Sequence, residues 1–490
     1  MELRDILRNI DYVAYLDRAP LEDVGSVEIS SVDFDSRSVS PASLFVAQRG
    51  GHVDGHSYIS MAVEKGAVAV VCEVLPEEMP KGVIFVLVKD SSEALGIAAS
   101  NFYGNPSHKI CLIGITGTNG KTTTVTLLHR LFRNAGMHVG LLSTIVNRVD
   151  DEEFPATHTT PDAVELNRML ALMVERGCQY CFMEVSSHAI VQHRVSGLKF
   201  SGAIFSNITH DHLDFHGTMA NYVKAKKGLF DSLDKDAFAL VNVDDRNGMV
   251  MVQNCKAHIY KYSLQTVADY HCRVVESTVH GQQLELNGSS FWTLLVGRFN
   301  AYNVTAIAAT AMLCGMDKND VLRGVSALSA APGRFQQVRG GGITAIVDYA
   351  HTPDALQNVI DTINDVRRKE QDLIVVVGCG GDRDPLKRPI MARIAAQGSD
   401  HLVLTSDNPR TENPEDILDA MEAGLDDVQR SSALRITDRR QAIKAAVMMA
   451  KDGDIILVAG KGHETYQEIN GVKNHFDDVE ELNKLINKQR

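Results

Sequence analysis

Residues 109–136, KICLIGITGTNGKTTTVTLLHRLFRNAG, couple an apolar run to a glycine-rich turn and then to an apolar pattern of a different period. KICLIGIT is short and nearly continuous in hydrophobic residues, as a buried strand is. Beyond the turn, Val125, Leu128, Phe132 and Ala135 recur at helical spacing, and Gly136 stops the helix. Strand, tight turn and helix in this order commit the chain to a layered α/β fold with a mostly parallel sheet.

The turn sets a second constraint. Gly117, Thr118, Asn119, Gly120, Lys121, Thr122 and Thr123 end as a phosphate-binding loop ends, but the glycines are displaced from the usual G-x-x-x-x-G-K-[ST] spacing. The residue five before Gly120 is Ile115, and the glycines stand at 114 and 117. In a strand–turn–helix context the backbone N–H groups and the helix N-terminus face an anion, and Lys121 adds charge. The hydroxyl of Thr122 or Thr123 can then reach Mg²⁺. A plain glycine-rich turn is the competing reading, and the Lys-Thr-Thr ending weighs against it.

The same alternation recurs along all 490 residues, a length that suggests about three domains at roughly 150 residues each. Residues 1–102 hold the runs AVAVVCEV and GVIFVLVKD, with a helical stretch ending on Gly66, and read as a small α/β domain. Residues 103–331 carry the glycine-rich turn and the runs CQYCFMEVS, SGAIFSNIT and DAFALVNVD, a central nucleotide-loop domain. Residues 332–490 alternate again through ITAIVDYA, LIVVVGCGG, HLVLTSDN and DIILVAGKG, a Rossmann-like α/β domain. Ligands of such sheets sit beyond the carboxyl ends of the strands, so the loops after these runs are the places to search.

Composition excludes other classes. The formal charge of −13 argues against non-specific nucleic-acid binding. A hydrophobic content of 44% with 23% charged residues is that of an ordinary soluble protein. The start MELRDILRNID lacks an apolar core, and no run approaches the ~18 residues a span requires, so the expectation is a cytoplasmic protein without membrane insertion. Of the 8 cysteines, Cys72, Cys111 and Cys379 lie in strand-like runs as buried thiols would, and Cys178 and Cys181 read as structural before redox or zinc.

Candidate metal ligands follow the strand runs. Glu184 lies in CFMEVSSHA, just past a strand run, and oxygen ligands suit Mg²⁺. His210, His212 and His216 could by themselves suggest zinc, but beside a nucleotide loop Mg²⁺ is favoured, and each histidine alone is more often a polar loop residue.

GITGTNGKTTT, MEVSSHAIVQHRV, SNITHDHLDFHGTMANYVKAKKGLF, GRFNAYN, APGRFQ, DYAHTPDAL, GCGGDRD, SDNPRTENP and AGKGHE occur in this order over nearly the whole chain. Together they resemble the Mur ligases, and within them the members that add meso-diaminopimelate to UDP-N-acetylmuramoyl-alanyl-glutamate. The resemblance implies a peptide synthase of cell-wall precursor assembly, in which ATP converts a carboxylate into an acyl phosphate that an amine captures. It places a carbamylated lysine at Lys226 of Tyr222-Val-Lys-Ala-Lys226, holding a second Mg²⁺ with His212, while Thr122 and Glu184 serve the first. Lys224 and Lys227 remain ordinary surface lysines.

By the same resemblance Asn300, Asn303, Arg334, Asp348 and His351 meet the ATP base and ribose, with Lys121, Lys226, His212, Glu184 and His351 as the catalytic set. Phe34, Ser36, Gly51, His52 and Val53 would contact the uridine diphosphate. Thr159, Thr160, Ser186, Gln192 and Arg194 continue that site, with His158 standing where relatives often have asparagine. Diaminopimelate falls to Arg383, Asp407, Asn408, Pro409, Arg410, Gly460 and Glu464; without the family DNPR reads as a turn before a helix starting near Pro414. The expected state is a monomer. Rival readings are folylpolyglutamate synthetase, a lysine-adding ligase, and a nucleotide-gated binding protein that forms no amide.

Overall fold

The computed structural model describes residues 1–49 and 53–486 and resolves the chain into three α/β domains, each built on its own sheet. Gly51 and His52 lie outside the described residues. The first sheet pairs Ser31–Asp33, Ser43–Val46, Ala67–Cys72 and Ile84–Val88 in parallel, and a hairpin of Tyr12–Leu16 and Ala19–Leu21 adds its antiparallel edge. The expected helix before Gly66 is a 3₁₀ turn, Gly55–Tyr58, running into Ile59–Glu64.

In the central sheet the strand Cys111–Thr116 lies between Tyr180–Glu184 and Gly202–Phe205, all parallel. That neighbourhood decides the site: the three carboxyl ends deliver the glycine-rich turn, Glu184 and the 206–212 loop to one place. Val139–Leu142, Phe238–Asn242 and His258–Ser263 extend the parallel core. The sheet is less uniformly parallel than the sequence suggests. Tyr270–Thr278, Gly281–Leu286 and Ser289–Thr293 form an antiparallel ribbon at one edge, and Val146–Val149 with Glu152–Pro155 a hairpin at the other.

The helix Lys121–Asn134 packs Val125, Leu128 and Phe132 into the core, where Phe132 meets Phe182 edge-on at 4.9 Å. Ala135, predicted on the same face, is exposed instead: it caps the helix, one residue before the left-handed Gly136 (φ 83°) turns the chain away. The third sheet sets Ile343–Asp348, Ile455–Ala459, Leu373–Val377 and His401–Leu404 in parallel, with Gln336–Gly340 antiparallel at the edge. Thr352 caps the helix Pro353–Val366, its hydroxyl accepting from Ala355 N at 3.3 Å.

Cys72, Cys178, Cys181 and Cys379 are buried free thiols, and Cys111 is partly buried. Burial pushes Cys72 and Cys379 up to about 12, so neither is a ready thiolate. Among the described residues no helix is long and apolar enough to cross a membrane.

Candidate active site

The glycines of the turn are required by their neighbours. Gly117 adopts φ 150°, and a Cβ there would stand 1.9 Å from Ser206 Oγ. Gly120 adopts φ 87°, with a would-be Cβ 2.5 Å from Asn303 Oδ1. These close approaches explain why the glycine spacing differs from the common loop. Lys121 opens the following helix, and its ammonium folds back onto Gly117 O and Thr118 O, both at 2.9 Å. The wholly buried Lys226 donates to the same Gly117 carbonyl at 2.8 Å. Two lysine Nζ atoms thus share one acceptor. Burial, then the charge of Lys121, hold Lys226 well below the usual lysine range, which favours the neutral amine that CO₂ requires. Lys226 also lies 4.6 Å over the ring of Tyr222, whose hydroxyl meets Thr118 Oγ1 at 3.1 Å. Lys224 is exposed, and Lys227 pairs with Asp231 on the helix surface.

The Thr122 hydroxyl donates to Glu184 Oε2 at 3.0 Å, and Thr144 N donates to Oε1 at 2.8 Å. Of the two threonines, Thr122 therefore faces the carboxylate. His212 has φ 53° and opens the short helix Leu213–His216, with its ring 3.4 Å from Asp211 and edge-on to His188 at 5.0 Å. His216 Nε2 bonds Ser187 Oγ at 2.9 Å. Among the described residues no group of three or more His, Cys, Asp and Glu could hold a metal. The oxygens of Thr122 and Glu184 nevertheless suit Mg²⁺, which commonly completes its shell with phosphate oxygens and water. Lys226 itself offers no oxygen to Mg²⁺; a carbamate on it would, and the His212 ring lies 6.2 Å from that of Tyr222, the ring Lys226 also approaches.

The third domain reaches into this cradle. Arg334 Nη2 donates to Thr122 Oγ1 at 3.2 Å while its guanidinium lies 4.7 Å over Tyr349. Asn119 Nδ2 donates to Asp354 at 3.2 Å. Asp348 accepts from Phe335 N at 2.6 Å, and burial lifts its carboxyl to about 6. His351 bonds Tyr349 O through Nδ1 at 2.9 Å; its tip reaches solvent, but the crowded cleft and Lys387 hold the ring at about 4, so it is neutral at pH 7. Asn300 and Asn303 are buried and turned inward, Asn300 Nδ2 to Val296 O at 2.9 Å and Asn303 Nδ2 to Asn300 Oδ1 at 3.2 Å.

A second cluster sits beyond the strands His401–Leu404 and Ile455–Ala459. Asp407, Asn408 and Pro409 are buried, and Arg410 has φ 52°, with Nη1 donating to Gly381 O at 2.6 Å. Asn408 Nδ2 donates to Glu464 Oε2 at 2.7 Å. A Cβ on Gly460 (φ 108°) would lie 2.6 Å from Asp407 Oδ2, so the backbone passes close to that carboxylate. Arg383 is exposed on the loop beside Arg410, both bordering Gly380. The predicted helix near Pro414 is Pro414–Glu422.

The residues predicted for a uridine diphosphate sugar divide into two groups. Ser36 is buried, its hydroxyl against Met61 Sδ at 3.5 Å, while Phe34 and Val53 are exposed. In the central domain Thr160 Oγ1 donates to Glu184 O at 2.8 Å, Ser186 N donates to Thr160 Oγ1 at 3.1 Å, and Arg194 Nη1 donates to Thr160 O at 2.8 Å. Thr159 bonds the Thr144 hydroxyl at 3.1 Å, Gln192 is exposed, and His158 Nδ1 meets the hydroxyl of its neighbour Thr157 at 3.2 Å at the surface.

Family models match all three parts: the Mur ligase family catalytic domain over residues 28–103, the Mur ligase middle domain over 115–311, and the Mur ligase glutamate ligase domain over 333–462. A protein of Cytophaga hutchinsonii, named UDP-N-acetylmuramoyl-L-alanyl-D-glutamate–2,6-diaminopimelate ligase, is 54% identical over 98% of this chain and 97% of its own. The chain belongs to the Mur ligase family. A Bacteroides fragilis protein of the same name is 51% identical over 99% of both chains. A solved structure of a ligase so named superposes with a TM-score of 0.71 at 33% identity, covering 100% of this chain and 99% of the other. The MurF ligase of Thermotoga maritima, solved with ADP, shares the fold at TM-score 0.62 and 19% identity, over 94% of this chain and 97% of its own.

Several residues of this Mur ligase site escape sequence reading. Asp211 faces Lys121, Lys226 and His351 electrostatically, and Asp354 receives Asn119. Lys461, within AGKGHE, is fully buried among Asp407, Asn408 and Glu464. Only Lys461 carried a signal, a lysine flanked by glycines after a buried strand.

Proposed function

We propose that this Mur ligase joins meso-diaminopimelate to UDP-N-acetylmuramoyl-L-alanyl-D-glutamate at the expense of ATP, making the tripeptide precursor of peptidoglycan and so serving cell shape and division. The observation that carries the reading is identity above one half, along nearly the whole chain, to proteins named for that reaction. The proposed division of labour is residues 1–102 for the UDP-sugar, 103–331 for ATP, and 332–490 for the incoming amino acid. One chain supplies groups to every part, which supports a monomer, and dependence on ATP supports the cytoplasm.

In the proposed sequence a glutamate carboxylate oxygen attacks the γ-phosphorus, the bond to ADP breaks, and an acyl phosphate results. The diaminopimelate ammonium gives one proton to solvent, its neutral amine adds to the acyl carbon, phosphate leaves with the bonding pair, and the nitrogen passes its second proton to that phosphate. The turn's N–H groups and Lys121 bind the phosphates; Lys121 must exchange the carbonyls of Gly117 and Thr118 for them. Arg334, already against Thr122, brings a cation from the third domain and closes the cleft, which excludes the water that would hydrolyse the acyl phosphate. Thr122 and Glu184, with His212 and a carbamylated Lys226, would hold Mg²⁺, which when bound offsets repulsion between carboxylate and phosphate. Asp348 would meet a ribose hydroxyl, with His351, Asn300 and Asn303 around the nucleoside. Arg410 suits one carboxylate of diaminopimelate and Arg383 the other, and Gly460 and Glu464 suit its far ammonium.

The test is phosphate release and product mass with ATP, the nucleotide dipeptide and a panel of amino acids. Diaminopimelate should support turnover and lysine should not. With ¹⁸O in the glutamate side chain, one label should appear in released phosphate. Preference for lysine would reassign the acceptor, and unlabelled phosphate would remove the acyl phosphate.

A further inference from the structure

The far end of the amino-acid pocket is one positive charge short. Lys461 Nζ, wholly buried, lies 3.8 Å from Asp407 Oδ1 and 3.2 Å from Glu464 Oε2. It donates to Asn408 Oδ1 at 3.0 Å and to Tyr466 O. Two carboxylates therefore share one ammonium. The other charges around them are already matched. Arg439 forks onto Asp478 at 2.8 and 2.7 Å with both side chains buried, and Arg410 lies 4.0 Å from Glu468. Arg334 is spent on Tyr349 and Thr122. Burial and the neighbouring Asp407 raise the Glu464 carboxyl above its usual range, as expected of an acid lacking a full counter-ion.

Leaving a buried carboxylate unpaired is costly, so a pocket built this way favours a ligand that supplies the missing cation. We infer that Lys461 is a positioning residue that fixes this pocket at one net negative charge, so that it selects an amino acid whose far end brings one ammonium group, and that it holds Asn408 in place by the same hydrogen bonds. The inference rests on the amino-acid pocket proposed above and deepens it: the cluster reads the far amine by charge balance, while the guanidinium groups of Arg410 and Arg383 meet the two carboxylates. Asn408 is fixed from both sides, accepting from Lys461 and from Glu468 N at 3.0 Å while donating to Glu464.

The experiment compares diaminopimelate with 2-aminopimelate, which keeps the far carboxylate and lacks the far amine, by phosphate release at saturating ATP and nucleotide dipeptide. Wild type should prefer diaminopimelate. Lys461→Met leaves two negative charges for one incoming ammonium, so the preference for diaminopimelate over 2-aminopimelate should rise at least threefold, with the KM for ATP changed less than twofold. Adding Asp407→Asn returns the pocket to one net charge and should bring that preference back to within twofold of wild type. Asp407→Asn alone makes the pocket neutral, and the preference should fall at least tenfold. A preference unchanged in Lys461→Met means Lys461 acts by packing alone and overturns the inference, as does an unchanged preference in Asp407→Asn. If Lys461→Met does not fold by circular dichroism, the Asp407→Asn comparison decides. Wild type that turns over another amino acid instead of diaminopimelate overturns the substrate reading, and the same variants measured with that amino acid then decide the role of Lys461.

Discussion

Lys226 shows how much a single side chain depends on what surrounds it. The sequence places it in a Tyr-x-x-Ala-Lys element, but its burial, its shared acceptor with Lys121 and its depressed basicity come from packing. Lys226→Ala should lower kcat at least a hundredfold, and added short-chain carboxylates should restore part of it by supplying the missing oxygens; undiminished kcat would remove Lys226 from the mechanism. Asp348 carries a pH signature. Its folded value, about 6 against 3.8, is raised, so its stabilising contribution is full below pH 3.8 and is lost as pH rises toward 6. That amounts to ~3 kcal/mol across the interval, and Asp348→Asn, which has no such proton to lose, should not show the decline. Urea midpoints measured at pH 4 and pH 7 for both proteins would check it; parallel changes would refute it. The same substitution should weaken ATP binding about tenfold if the carboxylate meets the ribose.

The glycine-rich turn is the element whose strand–turn–helix order was legible and whose packing was not. Strand, turn and helix could be read from period and composition, because apolar spacing reports directly which face each segment buries. The displaced glycines could not be explained from sequence, since the atoms that forbid a Cβ, Ser206 Oγ and Asn303 Oδ1, lie 89 and 183 residues downstream of Gly117 and Gly120. Gly117→Ala should weaken ATP binding at least tenfold by isothermal titration. Pairing it with Ser206→Gly should recover only part, because φ 150° and Asn207 O at 3.0 Å remain. Full recovery would show that the hydroxyl collision was the whole obstacle. Ala135 illustrates the opposite limit: the period carried it onto the buried face, but the helix had already ended.

At the scale of the whole molecule, the second and third domains meet at the phosphate loop. Arg334 and Asp354 cross from the third domain to Thr122 and Asn119. Arg334→Ala should therefore raise the KM for ATP about tenfold. In wild type ATP should also protect the segment around Ala331–Gly333 from limited proteolysis, and the variant should lose that protection. Equal protection in both would mean that Arg334 does not couple nucleotide to closure. The antiparallel ribbon of Tyr270–Thr293 belongs to this scale too: its alternating, half-exposed residues gave weak periodicity, and only its pairing along the edge of the central sheet identifies it.

By itself the sequence determined the α/β alternation, the strand–turn–helix order at the glycine-rich turn and the family, because local periodicity and short ordered motifs record what each segment must bury. Tertiary structure alone decided which charges meet. Asp211 beside two lysines, Asp354 under Asn119, and Lys461 shared between Asp407 and Glu464 are products of strand order, which brings together carboxyl ends that are distant along the chain.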